Sequence, residues 1–577
     1  MKRVFLFAAA LAIVQFAGGR SSAQTTSVDQ GPNWTRTDRA AFYSRNQGSR
    51  IMPLSWAMAL KQPSGGSFMA DSLSRYGYLK NEENLASTLP VGFTTDTDED
   101  GVVAIGMNCA ACHTRQIEVG GTQYRLDGGP AVADFQSFLT DLDKAVGTVL
   151  GNADAFKAFA STVLGGGLTP AQVAQLRTDV NTWYGPYHTI VTRALPTPAW
   201  GPSRLDAVGM IFNRLTGLDI GPANQNYMIP SNIQKADAPA RYPFLWNASI
   251  QAKTQWPGFA DNGDDLLALA RNTGEVIGVF AKFHPVKDPI RHPALKYDFK
   301  GDTSVNTEGL LALEDLIKKI GPPKYQWPVD AALAAQGKAL YEAPGSSGGC
   351  AGCHGIQEAA DPLTRNVVWK TPILDVGTDS REYNVLKWQV NTGVLSGAKI
   401  PVIGKPLNPT DSAFNVLALS VEGIILQRLP NVARFIVDNE MNKHQQAHIH
   451  ATLEEYTRAL DGAFKKPPPD KDRPFKYESR VIQGIWAVAP YLHNGSVPTL
   501  TDLLNPVSER PKAFKIGPNY DPTGKVGLAA EQTKFDYTLK TTDCSNRNSG
   551  TSVCGHEFGV TLKPEEKRAL LEYLKSL

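Results

Sequence analysis

The sequence predicts a mainly α chain built as two similar domains with long loop insertions. Three observations predict it: two widely separated copies of a short Cys-x-x-Cys-His segment, an apolar helical stripe closing each half, and 39 prolines with 51 glycines in 577 residues. Proline and glycine at that density break modest helices with ordered loops and argue against a repeat array or coiled coil.

Taken in order, the chain opens with Lys2 and Arg3, an apolar run from Val4 to Phe16, and the small residues Ser21-Ser22-Ala23. That order predicts a signal peptide over 1–23 and a periplasmic or secreted protein. A membrane anchor is the competing reading, but the run falls short of the roughly 20 residues a spanning helix needs. No later stretch is apolar enough to cross a membrane, so no span is expected in the mature chain. Loss of Lys2, Arg3 and Arg20 takes the formal net charge from +2 to −1, which leaves no electrostatic case for nucleic acid. With 42% hydrophobic and 20% charged residues the composition is that of an ordinary globular protein.

The repeated segments read Cys109-Ala-Ala-Cys112-His113 and Cys350-Ala-Gly-Cys353-His354. Two thiols at this spacing reach the two vinyl groups of one haem, and the adjacent histidine falls beneath the iron as its proximal ligand. The expected cofactors are therefore two covalently bound haem c groups. A redox dithiol explains neither histidine, and a four-cysteine zinc site is opposed by the distance between the pairs.

Asp330 to Tyr341 reads as a helix before the second motif. Pro564, Glu565 and Glu566 read as a helix start, and Ala569, Leu570, Tyr573, Leu574 and Leu577 as its apolar stripe. A helix before the motif and a helix closing the domain resemble the class I cytochrome c fold, which implies that the two cross at a small residue, here Gly337. Leu310, Leu311, Leu313, Leu316, Ile317 and Ile320 form a similar closing helix for the first motif, ended by Gly321-Pro322-Pro323. The boundaries that follow are an N-terminal extension over 24–100, a first cytochrome c-like domain over 101–323 and a second over 329–577. The second carries an insertion over about 399–475 that ends in the loop-forming Lys465-Lys466-Pro-Pro-Pro469.

The other axial position decides what each iron does. Cys544 and Cys554 bracket a polar stretch, and in an exported protein they are expected to pair. Their disulfide would pin the chain just before His556, the expected sixth ligand of the second haem; the alternative is a surface histidine beside a loop-tidying disulfide. After His113 no histidine follows until His188, so the first iron is expected to be open, with Met69, Met107, Met210, His188 and His284 as residues that could still reach it. His444, His448 and His450 read as a solvated helix end.

Three segments together resemble the bacterial di-haem cytochrome c peroxidase superfamily, closest in pattern to its rubber-oxygenase-like branch. They are the two haem motifs, Ala489-Pro-Tyr-Leu-His-Asn-Gly-Ser-Val-Pro-Thr-Leu500, and Ala238-Pro-Ala-Arg-Tyr-Pro-Phe-Leu-Trp-Asn-Ala-Ser249 followed by Gln255-Trp256-Pro-Gly258. The resemblance implies that Trp256 relays electrons between the haems, that His493 packs near a haem propionate or an interface, and that chemistry occurs at the first haem. It also implies that Arg204 to Gly209 helps wall the first haem pocket. Two features depart from the pattern. The usual peroxidase histidine shortly after the first motif is missing, and the Trp-Asp-Gly-Arg turn has become Trp256-Pro-Gly-Phe259. Glu275 is the one acid/base side chain the sequence offers over a bound peroxide, with an ordinary surface glutamate as the alternative.

Three functions follow as expectations. In the first, electrons from a small redox protein enter at the second haem and reduce peroxide at the first. In the second, the open haem binds oxygen and cleaves an apolar substrate, such as polyisoprene, in a pocket lined by side chains such as Phe244 and Phe280. In the third, both irons are six-coordinate and the protein only carries electrons.

Overall fold

The computed structural model describes residues 25–84, 87–293, 295–344, 349–360, 366–399, 405–438 and 475–577, with backbone alone over 429–438. The expected signal peptide, the histidines of 444–450 and the proline run of 465–469 lie outside the described residues.

The expectation of a mainly α chain is overturned: helix makes up 39% and strand 17%, so the class is mixed α and β. The physical reason lies in strand length. The strands run from two to six residues and pair mostly two at a time, too short for an alternating pattern to show against the loops around them. The longest hairpin pairs Thr114–Val119 with Thr122–Asp127, directly after the first Cys-x-x-Cys-His segment. Its two-residue turn, Gly120-Gly121, has positive φ at both positions, as the tight turn matching strand twist requires. Thr25–Ser27 adds to the far edge of that hairpin in parallel.

The helices form around side-chain caps. Asp134, Thr169, Asp206, Asp264, Asn306 and Asp330 each accept a hydrogen bond from a backbone N–H of the first turn that follows, which satisfies an otherwise orphaned donor. Helix Asp265–Gly278 packs between Ala207–Arg214 and Thr307–Ile317 and so forms one wall of the first site. Inside the expected insertion, helix Ala413–Asp438 packs on the same helices, burying Phe414, Val421, Ile424 and Ile425.

Helices Ala331–Tyr341 and Pro564–Ser576 cross at Gly337, where any Cβ would run into the carbonyl of Ala569. One apolar core joins Val28, Trp34 and Phe42 of the leading segment to Leu316, Trp486 and Leu570. The two motifs and the leading segment are thus built around a shared interior.

Candidate functional site

Each Cys-x-x-Cys-His segment forms one short helical turn at the edge of its own cavity. In the first, the Asn108 side chain accepts from Ala110 N (2.9 Å) and donates to the carbonyls of Phe42 (2.8 Å) and Arg45 (2.9 Å). This ties the start of the turn to the leading segment. Cys109, Cys112 and His113 line a cavity of about 160 Å³. Cys350, Cys353 and His354 line a second one of about 610 Å³. All four thiols are unpaired, and their division between two cavities removes the four-cysteine zinc reading.

The histidines of both motifs are held in one tautomer. His113 Nδ1 lies 2.9 Å from Pro243 O, and His354 Nδ1 lies 2.7 Å from Arg480 O. A carbonyl only accepts, so each Nδ1 carries the proton and each Nε2 keeps a free lone pair. Enclosure in the protein lowers both imidazoles below the ordinary range, His113 to about 4, so both are neutral and able to ligate. A pair of thiols, an imidazole with a free Nε2 and an adjoining cavity is the donor set that covalent haem attachment requires.

The second cavity brings in His556, whose ring centroid lies 6.0 Å from that of His354. Two imidazoles bound to opposite faces of one metal ion, each through a bond of about 2 Å, place their centroids roughly 6 Å apart. The His556 loop is held from several sides. The expected disulfide Cys544–Cys554 is present, and His556 N donates to Val376 O at 2.7 Å. Arg510 donates to the carbonyls of Val553 (2.8 Å), Gly555 (2.7 Å) and His556 (3.2 Å). Gly555 has φ +80° against the backbone of Gly377, where a Cβ finds no room. Burial, then the neighbouring His354, pushes the His556 imidazole down to about 3.

The first cavity holds Glu275, whose Oε1 accepts from Gln255 Nε2 at 3.1 Å. Burial raises its carboxyl above the usual range, against the pull of Arg271. Arg271 itself pairs with buried Glu314 at 2.6 Å. Of the possible second ligands to the first iron, only Met210 lines this cavity. His188 pairs with Asp143, His284 pairs with Asp302 in an outer cleft, and Met69 and Met107 are core residues. Leu205 and Ala207 of the segment 204–209 line the first cavity. Phe244 lines both cavities, whereas Phe280 faces the outer cleft. His493 lines the second cavity, stacked on Tyr477 at 3.9 Å and paired with buried Asp379 at 3.0 Å.

Trp256 lines both cavities. It is 8% exposed, its indole N–H donates to Arg241 O (3.1 Å), and the guanidiniums of Arg241 and Arg480 lie over its ring. These two arginines line both cavities as well. Sequence reasoning missed them, because the segments that carry them come together only in the folded chain. It also missed Glu382, which lines the first cavity from the second half of the chain with Oε2 unpartnered among the described residues. Burial, then the nearby Asp206, raises the Glu382 carboxyl far above its usual range. Nothing in the local sequence around it marks that role.

Comparison with known proteins places residues 476–515 in a match to the family described as RoxA-like, cytochrome c-like. Over nearly its whole length the chain is similar to the uncharacterized protein y4iJ of Sinorhizobium fredii (strain NBRC 101917 / NGR234), at 28% identity over 94% of this chain and 92% of that protein. A second protein of that strain, the uncharacterized y4iM, is 26% identical over 58% of this chain and 63% of its own. The family match supports a haem c oxidoreductase of the rubber-oxygenase-like cytochrome branch.

Proposed function

We propose that the chain is an exported di-haem c-type oxidoreductase of peroxidase type, with the first cavity as the site of peroxide reduction and the second as the point of electron entry. One observation carries the reading: His113 and the partly buried acid Glu275 share a cavity, and Trp256 lines both that cavity and the one holding His354 and His556. Haem c at each motif would supply one-electron redox chemistry and, where an axial position is free, a place for a small oxygen molecule.

Cys109, Cys112 and His113 would hold the first group, and Cys350, Cys353, His354 and His556 the second. Reduction of one peroxide to two waters takes two electrons and two protons. Glu275, whose carboxyl burial raises above the usual range, would take a proton from one peroxide oxygen and pass it to the departing one, the work of a general acid/base, while solvent supplies the two protons of the net reduction. Gln255 fixes its carboxyl by donating to Oε1. A small redox protein is the proposed electron donor, and Trp256 is the path between the sites. No helix among the described residues is long and apolar enough to cross a membrane, which fits the exported, periplasmic or secreted location proposed here.

The second reading, oxygen-dependent cleavage of an apolar substrate at the same cavity, is favoured by the RoxA-like match over 476–515. One experiment separates the two: optical and electron-paramagnetic spectra of the holoprotein before and after hydrogen peroxide. A high-spin signal that responds to peroxide, followed by oxidation of added reduced cytochrome c, is the expected result. A high-spin or oxygen-bound haem that ignores peroxide sinks the peroxidase reading in favour of the oxygenase. Two low-spin irons, with no binding of carbon monoxide on reduction, would leave only electron carriage.

A further inference from the structure

We propose that Arg241 and Arg480 hold the oxidation potential of Trp256 high, so that the indole conducts electrons between the two cavities without itself losing one. This rests on the reading of Trp256 as the path between two redox groups.

The geometry is specific. Arg241 Cζ lies 4.6 Å and Arg480 Cζ 5.0 Å from the Trp256 ring centroid, and all three residues are less than a tenth exposed. A neutral indole attracts such cations through the negative face of its π system. Removal of one electron reverses the sign, because the ring then carries a positive charge beside two others in a poorly screening interior. Of the two charges, only that of Arg480 has a carboxylate partner among the described residues, Glu478 at 3.5 Å. Arg241 Nε donates to the neutral carbonyl of Leu492 (2.9 Å), and its Nη1 has no hydrogen-bond partner.

The indole N–H is also fixed on Arg241 O, a neutral acceptor that gives a departing proton no basic group to move to. The oxidised ring would therefore face the Arg241 charge with no proton acceptor at its N–H, while the Glu478 carboxylate is engaged with Arg480. Each electron that peroxide takes up at the first cavity is matched by one leaving the second. Trp256 begins and ends closed-shell, and no proton moves at the guanidiniums. A relay that never holds a hole protects itself from oxidation by the peroxide it serves.

The test uses the holoprotein and the variants Arg241→Met, Arg241→Lys and Arg480→Met, each checked for covalent haem content. Three readouts apply: redox titration of both haems, rapid-freeze electron-paramagnetic spectra after peroxide, and mass spectrometry of the peptide containing Trp256. In wild type and Arg241→Lys the indole stays intact and no tryptophan radical forms. In Arg241→Met and Arg480→Met both midpoint potentials fall, an indole radical appears, and oxygenated Trp256 accumulates; Trp256→Phe in the Arg241→Met background removes the radical and assigns it.

A tryptophan radical at Trp256 in wild type overturns the proposal without any variant. Unchanged potentials with intact indole in both methionine variants also overturn it. If the holoprotein ignores peroxide, the peroxidase reading fails on its own, while the potential shifts and a photogenerated one-electron oxidant still decide the role of the arginines.

Discussion

Three residues lining the two cavities sit in the left-handed backbone region that non-glycine residues seldom adopt: Gln255 (φ +62°), Leu492 (φ +63°) and His556 (φ +52°). Such conformations cost about 1–3 kcal/mol each and persist where surrounding structure overrides them. Here they aim an amide at Glu275, a carbonyl at Arg241 Nε and an imidazole at His354. Glu275→Gln keeps the volume and a hydrogen-bonding group but cannot shuttle a proton. Peroxide turnover should fall about 10²–10⁴-fold with haem content and resting spectra unchanged; a loss of only a few-fold would remove Glu275 from the chemistry. His556→Ala should convert the second haem from low-spin to high-spin and open it to carbon monoxide on reduction. A spectrum that stays low-spin would assign the sixth position to another side chain. The two Cys-x-x-Cys-His segments and His556 were legible in sequence because spacing and a nearby disulfide carry the signal locally. Glu382, Arg241 and Arg480 were not, because their roles arise only from which segments fold against them.

At the scale of single elements, the helix Ala207–Arg214 that lines the first cavity depends on a buried acid at its start. Asp206 is 1% exposed, accepts from Gly209 N (2.8 Å) and Ala238 N (3.0 Å), and is pushed up to about 7 by burial against the lowering effect of those two bonds. The unfolded chain releases this proton near the ordinary carboxylate value, whereas the folded protein keeps it up to about pH 7. Between those limits the native state binds more protons, so its stability is full at low pH and falls as pH rises, at no more than about 1.4 kcal/mol per pH unit for this one group. Asp206→Asn should therefore lessen the drop in melting temperature between pH 5 and pH 8. Glu478 and Asp219, raised to about 7 and about 6, sustain the remainder. Equal drops in variant and wild type would show that Asp206 ionises normally. The helices around the second motif were readable from their starts and apolar stripes, and the crossing at Gly337 from the resemblance to the class I cytochrome c fold. The strands were not: the Gly120-Gly121 turn is a strong local sign of a hairpin, but the short strands beside it offer too little alternation to be seen.

For the molecule as a whole, the leading segment, expected to be an extension outside the haem domains, completes the interior around the first motif. Asp127, wholly buried at the end of the hairpin that follows His113, accepts from Trp34 Nε1 (2.8 Å), Arg39 Nε (2.7 Å) and the Tyr43 hydroxyl. Gln30 closes the ring by accepting from Asp127 N (2.8 Å) and donating to Asp127 O (2.7 Å). These partners lie more than eighty residues apart in sequence, so no local pattern announces them. Arg39 is the one cation that pairs with this carboxylate among the described residues. Truncating it leaves a buried negative charge with neutral donors only, which should cost about 3–5 kcal/mol. Arg39→Ala should lower stability to urea by that amount and reduce haem attachment at the first motif relative to the second. The double variant Arg39→Ala/Asp127→Asn removes the stranded charge and should recover part of the loss, since residues in direct contact do not behave additively. If the double variant is instead destabilised by the sum of the two single changes, the leading segment is held by its apolar contacts with Trp246 and Leu316, and the ion pair contributes nothing to holding the first site.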